Sequence, residues 1–269
     1  MSSTVRYLRP AAAVVKRDFL IAWSYRVQFV TGLFSGFVTL ATFYYISRLV
    51  RVEQFSPGEY FAFVAIGVVI FTVVTATLQL PQMTLRQELI AGTFERMLLA
   101  PGGTTTAITA LLLYPALYAL LTVAALVCLG AAAFGLDLQW STVPAAVPIA
   151  ILSLLAFAPF GVLLLASVVL IKRAPPGASY VVVGLSLVAG LYFPVSLLPG
   201  WIEWASDVQP LTPAAELLRN TLVGRPLEDP VWVPLLTLAA FALIALPLSI
   251  AALKAAVRSS RRRGTILEY

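Results

Sequence analysis

A helix needs about 20 mainly apolar residues to cross about 30 Å of hydrocarbon. Six blocks of this sequence meet that length: 27–49, 60–80, 107–134, 144–171, 179–198 and 231–253. Ser56-Pro57-Gly58 interrupts the chain before the second block, and Ala174-Pro175-Pro176-Gly177 interrupts it between the fourth and fifth. The pattern predicts an all-α, polytopic membrane protein with six transmembrane helices. Residues 1–26 carry charges throughout and hold no apolar stretch of signal-peptide type, so the first span is expected to act as an uncleaved anchor.

Composition agrees. Hydrophobic residues make up 60% of the 269 and charged residues 11%, with a mean hydropathy of +0.94. A water-soluble domain of this length could not hide so much apolar surface. Disorder, a fibrous repeat and a basic nucleic-acid binder are excluded. Cys128 is the single cysteine, so no internal disulfide can form, and the absence of histidine removes the commonest metal ligand and general base.

The placement of the basic residues sets the orientation. Arg6, Arg9, Lys16, Arg17 and Arg26 precede the first span, and Arg86 and Arg96 fall between the second and third. Lys172 and Arg173 fall between the fourth and fifth, and Lys254, Arg258, Arg261, Arg262 and Arg263 follow the sixth. Only Arg48, Arg51, Arg219 and Arg225 lie on the opposite side. Both termini are therefore expected in the cytoplasm.

The middles of the spans contain no ionisable side chain, where a proton-coupled carrier or a charged-ring channel needs one. Arg48 and Lys172 sit at span ends, from which they can snorkel to the interface. No G-x-x-x-x-G-K-[ST] phosphate loop is present. Uphill transport would thus draw its energy from another protein. In the first span Thr31, Ser35, Thr39 and Thr42 recur at helical spacing beside Gly32 and Gly36. This stripe reads as close packing with hydroxyls bonded back to the backbone, or as a transport route or dimer seam. Phe43, Tyr44 and Tyr45 beyond it read as an interfacial aromatic belt.

Three segments outside the spans carry further information. In residues 1–26, Leu8, Ala12, Val15, Phe19 and Ala22 share one helical face, opposite Arg6, Arg9, Lys16 and Arg17, as in an amphipathic helix on the inner leaflet. In the region 82–100, Gly92 suits a helix stop, Thr93 a cap for the next helix and Glu95 its first turn. A bent pair of short helices is expected there, either as a docking elbow or as a plain connector. Between 199 and 225, Trp201, Ile202, Ala205 and Val208 form a short apolar stripe, and Thr212-Pro213 and Gly224 suit a helix start and stop. Two short helices dipping into the outer leaflet are expected. The carboxylates Glu203, Asp207, Glu216, Glu228 and Asp229, near Arg219 and Arg225, read as a solvated outer surface.

These segments, in this order within a six-span frame, resemble the membrane subunit (permease) of a type-2 ABC exporter over almost the whole chain. The resemblance rests on Glu88 with Gly92-Thr-Phe-Glu-Arg-Met-Leu-Leu-Ala-Pro101, and on Tyr192-Phe-Pro-Val-Ser-Leu-Leu-Pro199. Gln209-Pro-Leu, Glu216-Leu-Leu-Arg219, the leader Lys16-Arg17-Asp18-Phe19 and the entry Ser24-Tyr-Arg-Val are similar too. It implies a single transmembrane domain over 1–269: an interfacial helix (1–26), spans one and two (27–80) and a coupling-helix region (82–100). Spans three to five (107–198), short outer re-entrant helices (199–225), span six (231–257) and a basic cytoplasmic tail (258–269) follow.

The resemblance further implies that the chain catalyses nothing and carries no cofactor. ATP and Mg would be bound by a separate nucleotide-binding ATPase subunit. Glu88, Gly92, Thr93, Phe94, Glu95, Arg96, Leu98 and Leu99 would dock on that subunit, with Lys16, Arg17, Asp18 and Phe19 on the interfacial helix beside them. Two copies would pair in the lipid bilayer of the cytoplasmic (inner) membrane, with Thr31, Gly32, Ser35, Gly36 and Thr39 as candidate route or seam. Phe193, Pro194, Leu198, Pro199 and Trp201 would close the outer mouth. No nucleic-acid partner is expected, and no large extracellular domain or fused ATPase is present in the sequence. The empty span middles favour a drug-like or lipid-like substrate. A lipid-linked polysaccharide sliding along Tyr180, Tyr192 and Phe193 is the alternative. Readings from other classes are a secondary carrier and a multi-span lipid enzyme.

Overall fold

The computed structural model describes residues 26–49, 55, 58–93, 103–171 and 178–262. The elements in chain order are α1 (Arg26–Leu49), α2 (Glu59–Ile90), α3 (Gly103–Phe134), α4 (Val143–Ile171) and α5 (Ala178–Val188). A 3-10 turn (Val195–Leu197), α6 (Gly200–Asp207) and α7 (Leu211–Val223) follow. The last helix runs as α8 (Trp232–Ala240), a π turn (Phe241–Ala245) and α9 (Leu246–Arg262). No strand occurs among the described residues. Among the described residues, five helices are long and apolar enough to cross a membrane: Phe29–Leu49, Glu59–Ile90, Leu111–Phe134, Val143–Ile171 and Trp232–Ser260.

Helix α2 is the axis of the bundle. It packs against α1, α3, α4 and α7, while α9 packs along α4. The run Phe63 to Ile70 is buried on every side, which explains why its sequence shows no polar face. The expected division at residue 80 between a span and a separate inner helix is absent, because α2 continues through Pro81 to Ile90. Pro81 has no amide to donate to the Thr77 carbonyl four residues back. That carbonyl instead faces Gly161 of α4, where an added Cβ would come within 2.9 Å of it. Close approach of a neighbouring helix covers the freed acceptor, and the helix runs on.

The block 179–198 is the largest departure from the expected pattern. Its helix, α5, stops at Val188 after 11 residues. Gly190 has φ +68, and the Leu191 amide donates to Ser186 O at 3.3 Å while the Gly190 amide donates to Leu187 O at 3.2 Å. This paired closure on a left-handed residue ends a helix, and Pro194 prevents a restart close by. The interruption is non-helical backbone placed against the middle of the α2 core.

The aromatic belt read from Phe43, Tyr44 and Tyr45 applies to Tyr45 alone, which is exposed. Phe43 stacks on Tyr192 with ring centroids 5.5 Å apart, and Tyr44 lies against Phe61 and Phe134. Arg48 places its guanidinium 4.6 Å from the centre of the Tyr44 ring, a favourable cation–π contact at the helix end.

Candidate functional site

Two places collect the sequence-predicted residues, one at each end of α2. At the Ile90 end, Gly92 adopts φ +65. The Thr93 amide donates to Glu88 O at 3.0 Å and the Gly92 amide to Leu89 O at 3.1 Å, the same paired closure seen after α5. A Cβ at Gly92 would meet nothing within 4 Å, so glycine is required there by conformation and not by space. The Thr93 hydroxyl donates back to the Glu88 carboxylate. One face of the final turns is buried, with Leu85 and Leu89 packed among Leu165, Val169, Leu253 and Val257. The other face leaves Met83, Arg86, Gln87 and Ile90 exposed. Of the predicted docking residues, Glu88, Gly92 and Thr93 are thereby brought together. Phe94, Glu95, Arg96, Leu98 and Leu99, and the leader residues Lys16, Arg17, Asp18 and Phe19, lie outside the described residues.

At the Glu59 end, the interruption after α5 meets α2 and α7 around a single buried cation. Arg219 of α7 is only 5% exposed. Its Nε donates to Phe63 O at 3.2 Å, and its Nη2 donates to Gly190 O at 3.0 Å and Leu191 O at 2.9 Å. The guanidinium also stacks 3.4 Å over the Phe63 ring, while Arg225 lies over Phe63 and Phe55 at 4.7 and 4.9 Å. Tyr60 donates its hydroxyl to Tyr192 O at 3.4 Å. Three successive carbonyls of the interruption are thus satisfied by protein donors, which non-helical backbone away from water requires.

Gly67 permits the approach. An added Cβ there would lie 1.9 Å from Leu191 O. From the far side, the Gln139 amide donates to Leu222 O at 2.8 Å and the Thr142 hydroxyl to Thr221 O, tying the α3–α4 connection to α7.

Glu203, Asp207, Glu228 and Asp229 are exposed, as read from the sequence, whereas Glu216 is half-buried and Arg219 beside it is buried. Burial first, and Arg225 second, lower the Arg219 pKa to about 9, which leaves it cationic at neutral pH. Burial raises Glu216 above its ordinary range, with Glu228 and Asp229 adding to the effect. Phe63, Gly190, Thr212, Glu216, Arg225 and Glu228 line the small pocket over Arg219. The sequence held one clue to this burial: Arg219 stands among Ala214, Ala215, Leu217, Leu218, Leu222 and Val223, an apolar setting for a cation.

The predicted mouth residues follow the interruption. Phe193 and Pro194 are half-buried within it, Leu198 and Pro199 lead into α6, and Trp201 is exposed beside Trp204. In α1, the glycine side is occupied within the chain. A Cβ on Gly36 would lie 2.6 Å from Leu126 Cδ2 of α3, and one on Gly32 would lie 3.2 Å from the Tyr118 hydroxyl oxygen. Thr39 donates its hydroxyl to Ser35 O at 2.9 Å, and Thr31 and Ser35 are exposed. Among the described residues no group of His, Cys, Asp and Glu could hold a metal ion.

All-helical among the described residues, with five helices able to cross a membrane, an exposed elbow at one end and an interrupted helix at the other, the chain is of the multi-pass membrane class. The chain belongs to the ABC-2 type transporter family, whose model matches residues 11–223. It is therefore a permease component of an ABC transporter, a family whose members normally pair with an ATP-binding subunit. No curated protein matches the chain. The matched segment ends at the last residue of α7, so it contains both the elbow and the Arg219 cluster.

Proposed function

We propose that this chain is the membrane subunit of an exporter that moves an amphipathic, drug-like or lipid-like molecule outward, driven by a separate ATPase subunit docked at the Gly92 elbow. The observation that carries this reading is the uninterrupted helix Glu59–Ile90, which joins the elbow to the interrupted segment. At 1.5 Å per residue its 32 residues extend about 48 Å, longer than the hydrocarbon core is thick. The elbow then stands in the cytoplasm, as Arg86 and the basic termini favour. In this reading α5 and the interruption after it make the sixth crossing, α6 and α7 lie at its outer end, and both termini lie in the cytoplasm. A second copy of the chain completes the route, and the exposed Thr31 and Ser35 side of α1 is open to it, since the glycine side is filled by α3.

Glu88→Ala and Glu95→Ala test the docking assignment. Both variants should insert normally while the assembled complex loses ATPase stimulation. Full stimulation in both would remove the elbow from the mechanism. Of the aromatics suited to a sliding glycan, Tyr180 is exposed, but Tyr192 is engaged by Phe43, on which it stacks, and by Phe71, against which it is tilted; the track is thereby broken, which favours the drug-like or lipid-like substrate.

A further inference from the structure

We propose that Arg219 is the coupling pin of this transporter: it fixes the interrupted segment and the mouth helices to α2, so that a displacement of the Gly92 elbow is delivered to the mouth. The elbow as the source of the push rests on the function proposed above. The pin itself is a property of this chain alone.

The argument begins with what holds the mouth. The 3-10 turn packs on α6, and α6 on α5 and α7, but neither packs substantially with α2, and α5 itself touches α2 only lightly. Apolar packing therefore ties α7 to α2 directly, but the 3-10 turn and α6 only through their neighbours. Arg219 supplies the missing tie. Its Nε is anchored on Phe63 of α2 and its Nη2 on Gly190 and Leu191 of the interruption, while its own backbone belongs to α7. One planar guanidinium thus joins three chain segments, with its face on the Phe63 ring. The contact of Leu191 with Gly67 and the bond from Tyr60 to Tyr192 O set the same register from the α2 side.

Lysine retains the charge but presents a single ammonium centre and cannot span these three acceptors with a fixed fork. Arg219→Lys therefore separates a pin from a mere buried charge. The geometry also explains why the interruption sits where it does: a continuous helix through residues 189–193 would commit the Gly190 and Leu191 carbonyls to its own ladder and leave Arg219 only Phe63 O.

The test uses the full chain with Cys128→Ala, which removes the only native thiol, reconstituted in lipid nanodiscs. Spin labels at Glu59→Cys on α2 and Leu197→Cys in the exposed turn before α6 report their separation by pulsed electron resonance. The pin predicts a narrow distance distribution with Arg219 and a broadened, shifted one with Arg219→Lys. Identical distributions would overturn it, whatever the state of the docking reading. In the complex with its ATPase subunit, the rate at which Leu197→Cys reacts with a membrane-impermeant maleimide should change severalfold on adding a non-hydrolysable ATP analogue. Arg219→Lys should abolish that change while ATPase association and basal hydrolysis stay within about twofold.

A persistent response in Arg219→Lys would overturn the pin. If no ATPase associates even with Arg219 present, the docking reading fails and the distance measurement alone decides the pin. Gly67→Ala serves as the second variant if Arg219→Lys does not accumulate, since it displaces Leu191 without altering the arginine. It should broaden the same distribution, and an unchanged distribution would count against the pin.

Discussion

Replacing Gly67 by alanine puts the contact between α2 and the interrupted helix to a quantitative test. The new Cβ would stand 1.9 Å from Leu191 O, 2.8 Å from its carbonyl carbon and 3.2 Å from its Cα. All three are backbone atoms, so no side-chain rotation relieves the clash. Restoring an ordinary carbon–oxygen separation of about 3.3 Å requires Leu191 and α2 to part by about 1.4 Å. A retreat of that size stretches the 2.9 Å bond between Arg219 Nη2 and Leu191 O beyond hydrogen-bonding range. Losing one bond from a charged donor costs about 1.5–3 kcal/mol, and the better helix propensity of alanine returns up to about 1 kcal/mol. The net destabilisation is on the order of 1–2 kcal/mol, read as a lowered midpoint of thermal unfolding in detergent. Gly184→Ala is the matched control, because a Cβ there meets nothing within 4 Å and the residue is helical. It should be neutral or slightly stabilising. If Gly67→Ala unfolds at the control's temperature, the packing of Leu191 on α2 is refuted.

Other substitutions probe the remaining contacts. Gly36→Ala should be tolerated because its clash is with the mobile end of Leu126, whereas Gly36→Leu should cost about 1–3 kcal/mol by prying α1 from α3; equal stability of the two would contradict that packing. Gly92→Ala, forced to hold φ near +65 at a cost of about 1–2 kcal/mol, should loosen the elbow and accelerate amide exchange at Gly92 and Thr93; unchanged exchange would refute the strain argument. The raised pKa of Glu216 means the folded chain holds that proton more tightly than the unfolded one. Its contribution is therefore present below the ordinary value of 4.5 and is lost as pH rises through the folded value. Relative to Glu216→Gln, the wild type should lose thermal stability over that rise, and parallel pH curves for the two would show that burial of Glu216 has no such effect.

Much of the fold was legible because a bilayer imposes simple length rules. The blocks 27–49, 107–134 and 144–171 reappear as α1, α3 and α4 within a few residues. Gly92 and Gly224 end helices as their residue type suggests, since both hold the left-handed conformation. What could not be read is tertiary. Nothing local to 179–198 distinguishes an apolar helix from an interrupted one, because the interruption is held open by an arginine nearly thirty residues further along the chain. The division expected at residue 80 is absent because the carbonyl that Pro81 frees is covered by Gly161 of α4, a partner 80 residues further along the chain. The burial of Arg219 was not legible, because charge alone does not reveal that three carbonyls and a phenyl ring await it. The α1 stripe was readable as close packing or as a route or seam, and α3 of the same chain lies against its glycines while Thr39 and Thr42 bond back to the backbone.

ATP hydrolysis by the chain purified through a C-terminal tag from its native membrane tests the central claim most directly. The account predicts that a nucleotide-binding subunit co-purifies in stoichiometric amount with active ATPase, and that its stimulation is lost when Glu88 and Glu95 are replaced by alanine. A homogeneous single-chain species with no associated ATPase, or an ATPase indifferent to those substitutions, would contradict it.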